Sequence, residues 1–110
     1  LEVARTGLTQ ETAEQLGLHP AGATASGQDR TGLVPNAGSV TVKLVYAKEG
    51  RRLLDGQVWG GPDAAARANA IAVAVQAGMT VEELAKVRFV TGPSGHAAWD
   101  PIQLSCAAAK

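Results

Sequence analysis

His96, Ser94, Asp100 and Cys106 are the residues of this 110-residue chain whose types and spacing could carry out chemistry together. A hydroxyl or thiol nucleophile needs a base within hydrogen-bond reach and a carboxylate to orient that base. The elements that must position these side chains argue against such a use. Asp100 stands directly before Pro101, where an aspartate caps a helix and a proline fills its first turn. Cys106 falls inside the Ala-rich helix that follows, where a packed, inert thiol is the expectation. His96 is left alone in a segment of Gly, Pro and Ser, either as an exposed loop histidine or as one that borders an active site. No catalytic residue is therefore expected within the chain itself. His19, His96 and Cys106 have no recognisable ligand spacing, so no metal is expected either.

Composition narrows the classes further. Ten Lys and Arg balance ten Asp and Glu, and no long run of one sign occurs, so neither a nucleic acid nor a membrane surface is an expected partner. Arg51 and Arg52 sit at a hairpin turn and read as a solvated tip, too small a charge for polyanion binding. The single cysteine cannot close an internal disulfide, which agrees with a cytoplasmic protein. The longest apolar run is interrupted by Arg67 and is a poor bilayer span, and no signal peptide is expected. Neither a Gly-x-Gly-x-x-Gly turn nor a Walker loop is present, so no cofactor is expected in this chain.

Along the chain, a short extended opening at Glu2–Thr6 is broken by Gly7. Thr9 then caps a two-turn helix that ends at Gly17, with Leu8 and Ala13 as its staple. His19 to Gly38 reads as a weak edge strand followed by a loop. Val40, Val42, Leu44 and Tyr46 alternate with Thr41, Lys43 and Val45, and after a turn Leu53 to Trp59 runs extended again, which is a β-hairpin with Trp59 in the core. Asp63 opens the Ala64–Ala77 helix, in which Arg67, Asn69 and Gln76 are the polar residues. Ile71, Val75 and Met79 mark the face that packs on the hairpin. A helix this apolar must be covered on more than one side, and a chain this short needs a second copy to do so. Thr80 and Glu83 form a capping box for a short helix to about Lys86, with Met79 and Leu84 as its staple. Arg88–Thr91 is β-like, Gly92–Gly95 is a loop, and the last helix runs from Ile102 to Ala109. The order β-α-β-β-β-α-α-β-α predicts one α+β domain over residues 1–110, an antiparallel β-sheet with helices packed on one side.

Four stretches in register, Val3-Ala-Arg-Thr-Gly-Leu-Thr9, Gly56-Gln-Val-Trp-Gly60, Gln76-Ala-Gly-Met-Thr-Val-Glu-Glu-Leu84 and Ala98-Trp-Asp-Pro-Ile102, resemble the C-terminal dimerisation domain of the FAD-dependent pyridine nucleotide-disulfide oxidoreductases. The Asp-Pro pair is more similar to the branch of coenzyme A-disulfide reductase, NADH oxidase and NADH peroxidase. The resemblance implies a homodimer. It also implies that the loop before the last helix, Thr91, Gly92, Pro93, Ser94, Gly95 and His96, faces the partner subunit's active site. Trp99, Pro101 and Leu104, with the side of the Ala-rich helix away from Ile71 and Val75, are the implied dimer interface. FAD and NAD(P)H are implied for the parent protein, whose binding domains are not in this chain, so the chain alone is expected to be inactive. Thr91 and Gly95 stand where the coenzyme A branch carries tyrosines, and Pro93 where glutathione and lipoamide reductases carry an acid-base histidine, so His96 does not inherit that role. The residues alone also allow a free-standing α+β module that binds a small ligand or a protein.

Overall fold

The computed structural model describes residues 2–7, 9–28, 39–60, 64–88 and 100–109. The elements are β1 (Glu2–Gly7), α1 (Gln10–Gln15), β2 (Pro20–Gln28), β3 (Ser39–Ala47), β4 (Leu53–Gly60), α2 (Ala64–Gln76), α3 (Val81–Ala85) and α4 (Pro101–Ala108). The strands form one antiparallel sheet in the order β1-β4-β3-β2, so the α+β expectation holds. Leu8 and Asp63 lie outside the described residues, as does the β-like run beyond Arg88.

Alternation decides which way the sheet faces. Val40, Val42 and Leu44 of β3 are fully buried, and register puts Ala23, Gly56 and Val58 on their side. On that face α2 packs against β4 and β1, and α4 against β2 and β3. Ile71, Ala68 and Ala74 of α2, Leu84 of α3, and Ile102 and Cys106 of α4 complete the core. Gly56 makes the approach of α2 possible: a Cβ there would lie 2.9 Å from Ile71 Cδ1 and closer still to its Cγ2.

β2 is longer and more regular than its composition predicts, pairing with β3 from Pro20↔Ala47 to Gln28↔Ser39. Its Ala and Gly residues, which read as a weak strand, are small because α4 lies close above them. A Cβ on Gly27 would come within 2.8 Å of Leu104 Cδ1 and 3.4 Å of Pro101 Cγ.

Trp59 does not join the core. Val58 takes the inward register, so Trp59 is half-buried on the opposite face in register with Thr41 and Val3. That face also carries Lys43, Gln57 and Arg5, and near its end Gln10 of α1 reaches over Gly22.

Arg51 is not a solvated tip. It adopts a left-handed backbone (φ 59°), which turns its guanidinium back over the Tyr46 ring at 5.0 Å from the centroid. The same side chain pairs with Glu82 and donates to the Ala109 carbonyl at 3.5 Å. Its own carbonyl accepts from Val81 N at 2.9 Å, while Leu53 N donates to Met79 O at 2.9 Å. The turn of the hairpin is thus stitched to the connection between α2 and α3.

Gly56→Ala should destabilise the fold by about 1–3 kcal/mol, because the added methyl is driven into Ile71. Urea unfolding of Gly56→Ala, Ile71→Ala and the double variant should reveal a favourable coupling, since the double variant relieves the clash. Strict additivity would mean that the two residues do not meet.

Candidate functional site

α2 is amphipathic in an unusual sense. Arg67, Ala68, Ile71 and Ala74 are buried, Val75 and Met79 are half-buried against the core, and Ala65, Ala66, Asn69, Val73, Gln76 and Ala77 are exposed. Within one copy of the described chain the helix is covered on a single side. Val73 is 68% exposed, a large apolar side chain in open view. It forms one wall of an apolar groove of about 290 Å³, lined also by Ala70, Ala74, Met79, Leu84 and Val87.

Beneath this face lies a buried ion pair. Arg67 and Asp100 are 3% and 1% exposed, and Arg67 Nη2 stands 3.1 Å from Asp100 Oδ2. Arg67 Nε donates to both carboxylate oxygens, at 3.2 and 3.3 Å. Asp100 is also the cap of α4, as its position before Pro101 predicts: Oδ1 accepts from Ile102 N at 2.9 Å. In return Gln103 Oε1 accepts from Asp100 N at 3.3 Å, closing a capping box. Gln103 Nε2 then donates to Val87 O at 2.9 Å and Ala85 O at 3.4 Å. Sequence reasoning found the cap and missed the pair. The available signal was Arg67 itself, a charge within an alanine helix that needs a carboxylate if its side of the helix is the buried one.

Thr91, Gly92, Pro93, Ser94, Gly95, His96 and Trp99 lie outside the described residues. Pro101 is buried and Leu104 half-buried where α4 crosses Gly27 of β2. Asp100 is occupied by Arg67 and by the cap, so it is not an orienting carboxylate for a nucleophile. Cys106 is a buried free thiol whose pKa burial raises to about 11, with Glu82 adding to the shift, as befits a packed rather than a reactive cysteine.

A second buried carboxylate lies on the opposite face of the sheet. Asp55 is fully buried, and burial pushes its carboxyl above the usual aspartate range. This outweighs a hydrogen bond from Gln57 Nε2 at 3.3 Å and the charge of Arg5. The Arg5 guanidinium is 3.9 Å away and half exposed, so water screens it. Among the described residues Asp55 Oδ1 has no hydrogen-bond partner. No helix among them is long and apolar enough to cross a membrane.

The fold has counterparts among known proteins. Residues 1–100 match the pyridine nucleotide-disulphide oxidoreductase dimerisation domain, and the chain belongs to that family. It is 32% identical over 108 residues to an NADH oxidase of Enterococcus faecalis, an alignment covering 98% of this chain and 24% of that protein. Among solved structures it is similar to an NAD-dependent persulfide reductase from A. fulgidus, with a TM-score of 0.90, 30% identity, and coverage of 97% of this chain and 20% of the other. It is also similar to the reduced CoADR-RHD of Bacillus anthracis, with a TM-score of 0.89, 27% identity, and coverage of 96% and 19%. The chain therefore spans about a quarter of the length of the curated relatives it matches.

Both titratable groups give measurable consequences. In the native protein a thiol reagent should label Cys106 at least about a hundredfold more slowly than in urea, since two units of raised pKa remove most of the thiolate. Equal rates would mean an accessible cysteine. Asp55 has a folded pKa above the ordinary value of 3.8, so its favourable contribution is complete below that value and is lost as pH rises through the folded pKa. Asp55→Asn should accordingly gain stability relative to wild type as pH rises above the ordinary aspartate value of 3.8 in urea unfolding. A difference independent of pH would place the native carboxylate in an ordinary environment.

Proposed function

We propose that this chain holds two copies of a flavin-dependent oxidoreductase together, and that the exposed side of α2 with its adjoining groove is the surface that does so. The observation that carries the reading is Val73, 68% exposed at the edge of an apolar groove, on a helix whose one described charge is turned inward. Asn69 and Gln76 leave that exterior only thinly hydrated. A second copy is the natural cover, because membership of a dimerisation family and an open small-residue helix point to the same association.

In the parent protein, FAD and NAD(P)H would be bound by domains outside this chain. Nothing in the described residues offers either cofactor a phosphate-binding turn, so no step of the chemistry is assigned to them. The segment Thr91, Gly92, Pro93, Ser94, Gly95 and His96 is read as facing the partner's active site, with Trp99, Pro101 and Leu104 extending the contact. The activities of the relatives, oxidation of NADH and reduction of a persulfide, mark the class of reaction proposed for the parent. Its free, buried thiol agrees with a cytoplasmic protein.

Light scattering over a concentration series should give about twice the 11.2 kDa chain mass. Val73→Glu places a charge on the exposed face without touching the core, and should weaken association at least about tenfold while leaving the unfolding transition of the monomer intact. A wild-type chain that stays monomeric at high concentration, or a Val73→Glu dimer as tight as wild type, would overturn this surface.

A further inference from the structure

Asp55 lacks the hydrogen bonds that burial demands of a carboxylate. It is fully buried, Oδ1 meets no donor among the described residues, and Oδ2 has Gln57 Nε2 at 3.3 Å and the half-exposed Arg5 guanidinium at 3.9 Å. Register places it in one row with Gly7 of β1, Val45 of β3 and Gly22 of β2, on the face away from α2 and α4. Farther along that face Lys43 and Trp59 are half-buried and Thr24 and Ser26 exposed, whereas Val45 shares the complete burial of Asp55. The described cover at this end is the close of β1 and the helix after it. Gly7, at φ 91°, approaches so closely that a Cβ there would lie 2.9 Å from Asp55 Cα. α1 packs on β2, with Ala13 fully buried and Gln10 reaching over Gly22.

We propose that Gly7 and α1 form a proton-linked cover, closed over Asp55 while its carboxyl keeps a proton and opening more readily once that proton has left. A neutral carboxyl tolerates an unmatched oxygen in the interior far better than an ionised one, which seeks water or donors. The cover is the element best able to admit water. α1 is six residues long, too short to persist without its packing on the sheet, so it detaches at less cost than any central strand. The charges that face Asp55 are Arg5 from β1 and Lys43 from β3, and both favour ionisation less strongly than burial opposes it. On α1, Glu11 and Glu14 stand in solvent and Ala13 is the residue turned inward.

Amide exchange followed by NMR, divided by the intrinsic exchange rate at each pH, reads the opening directly. The reporters are the amides of Ala13 and Leu18, which donate to Thr9 O at 2.9 Å and Ala13 O at 3.0 Å, with the amides of β3 and β4 as reference. In wild type the α1 reporters should be less protected than the reference. Their protection should fall about tenfold per pH unit from the ordinary aspartate value of 3.8 up to the folded value, and level off above it. Asp55→Asn should flatten that fall, which sets it apart from any titration of Glu11 and Glu14. Arg5→Met keeps the carboxylate and should carry the fall to higher pH, because burial then acts against less opposition. Protection of α1 that is constant with pH in wild type, that falls identically in Asp55→Asn, or that equals the reference throughout would overturn the proposal. Should Asp55→Asn fail to fold, a fall that Arg5→Met leaves in place overturns it equally.

Discussion

The guanidinium of Arg67 enters the interior from a helix otherwise made of alanine and aliphatic residues, and its need for a carboxylate constrains the chain on both sides of it. An unpaired charge at that depth costs several kcal/mol, so losing Asp100 alone costs about 3–5 kcal/mol, a large part of the 5–15 kcal/mol that holds a domain together. Asp100 answers that need while capping α4, and Gln103 closes the cap while binding the carbonyls of Ala85 and Val87. Three helices are therefore indexed against one carboxylate. α4 cannot slide along β2 without pulling Asp100 away from Arg67, and α2 cannot roll without taking Arg67 from Asp100.

Such indexing works because the helices lie close to the sheet. Gly56 admits Ile71, Gly27 admits Leu104, and the alanines of α2 and β2 keep the layers thin. A thin core contains few large side chains, and aromatic residues make up 4% of the chain. Tyr46 is the aromatic ring among the described core residues, and it is clipped in place by Arg51, whose left-handed backbone lets one side chain reach the ring, Glu82 and Ala109. The turn of the hairpin is held by that contact, and α2 and α4 are held to each other by the ion pair. Between the two clamps, burial of small residues supplies a modest hydrophobic contribution per residue.

Local physics was legible in the sequence, and relations between distant residues were not. Thr9, Thr80 and Asp100 are the observed caps because capping depends on residues a turn apart. The alternation of β3 announces its buried face for the same reason. β2 reads as a weak strand since Ala and Gly are poor strand formers in isolation, and their fitness lies in the closeness of α4, which no local window contains. The size of Trp59 points to the core, but its neighbour Val58 takes the inward position of β4, and period-two geometry overrides size. Arg51 looked solvated because hydrophilic turn residues usually are. Its contacts come from residues 82 and 109, far along the chain. Arg67 was visible as an anomaly, yet its partner lies at residue 100, and spacing alone does not couple the two.

The inversion of α2 ties these strands of argument together. A helix on the surface of a monomer puts its charge in water and its aliphatic side chains in the core. Here the charge is inside, paired with Asp100, and Val73 is outside with alanines around it. Had the helix been rolled to hydrate Arg67, Asp100 would have lost its partner and α4 its index, and the small residues that admit close approach would have been spent on the sheet alone. With the charge satisfied internally, the outer side is freed of the need for water and retains only Asn69 and Gln76 as polar groups. Burying Val73 and its alanine neighbours against another surface then carries almost no desolvation penalty, because the group that would have been expensive to cover has already been withdrawn. The internal ion pair thereby shapes the external face: one arginine, by turning inward, anchors the helix in the fold and leaves its outer side without charge, as the proposed association requires.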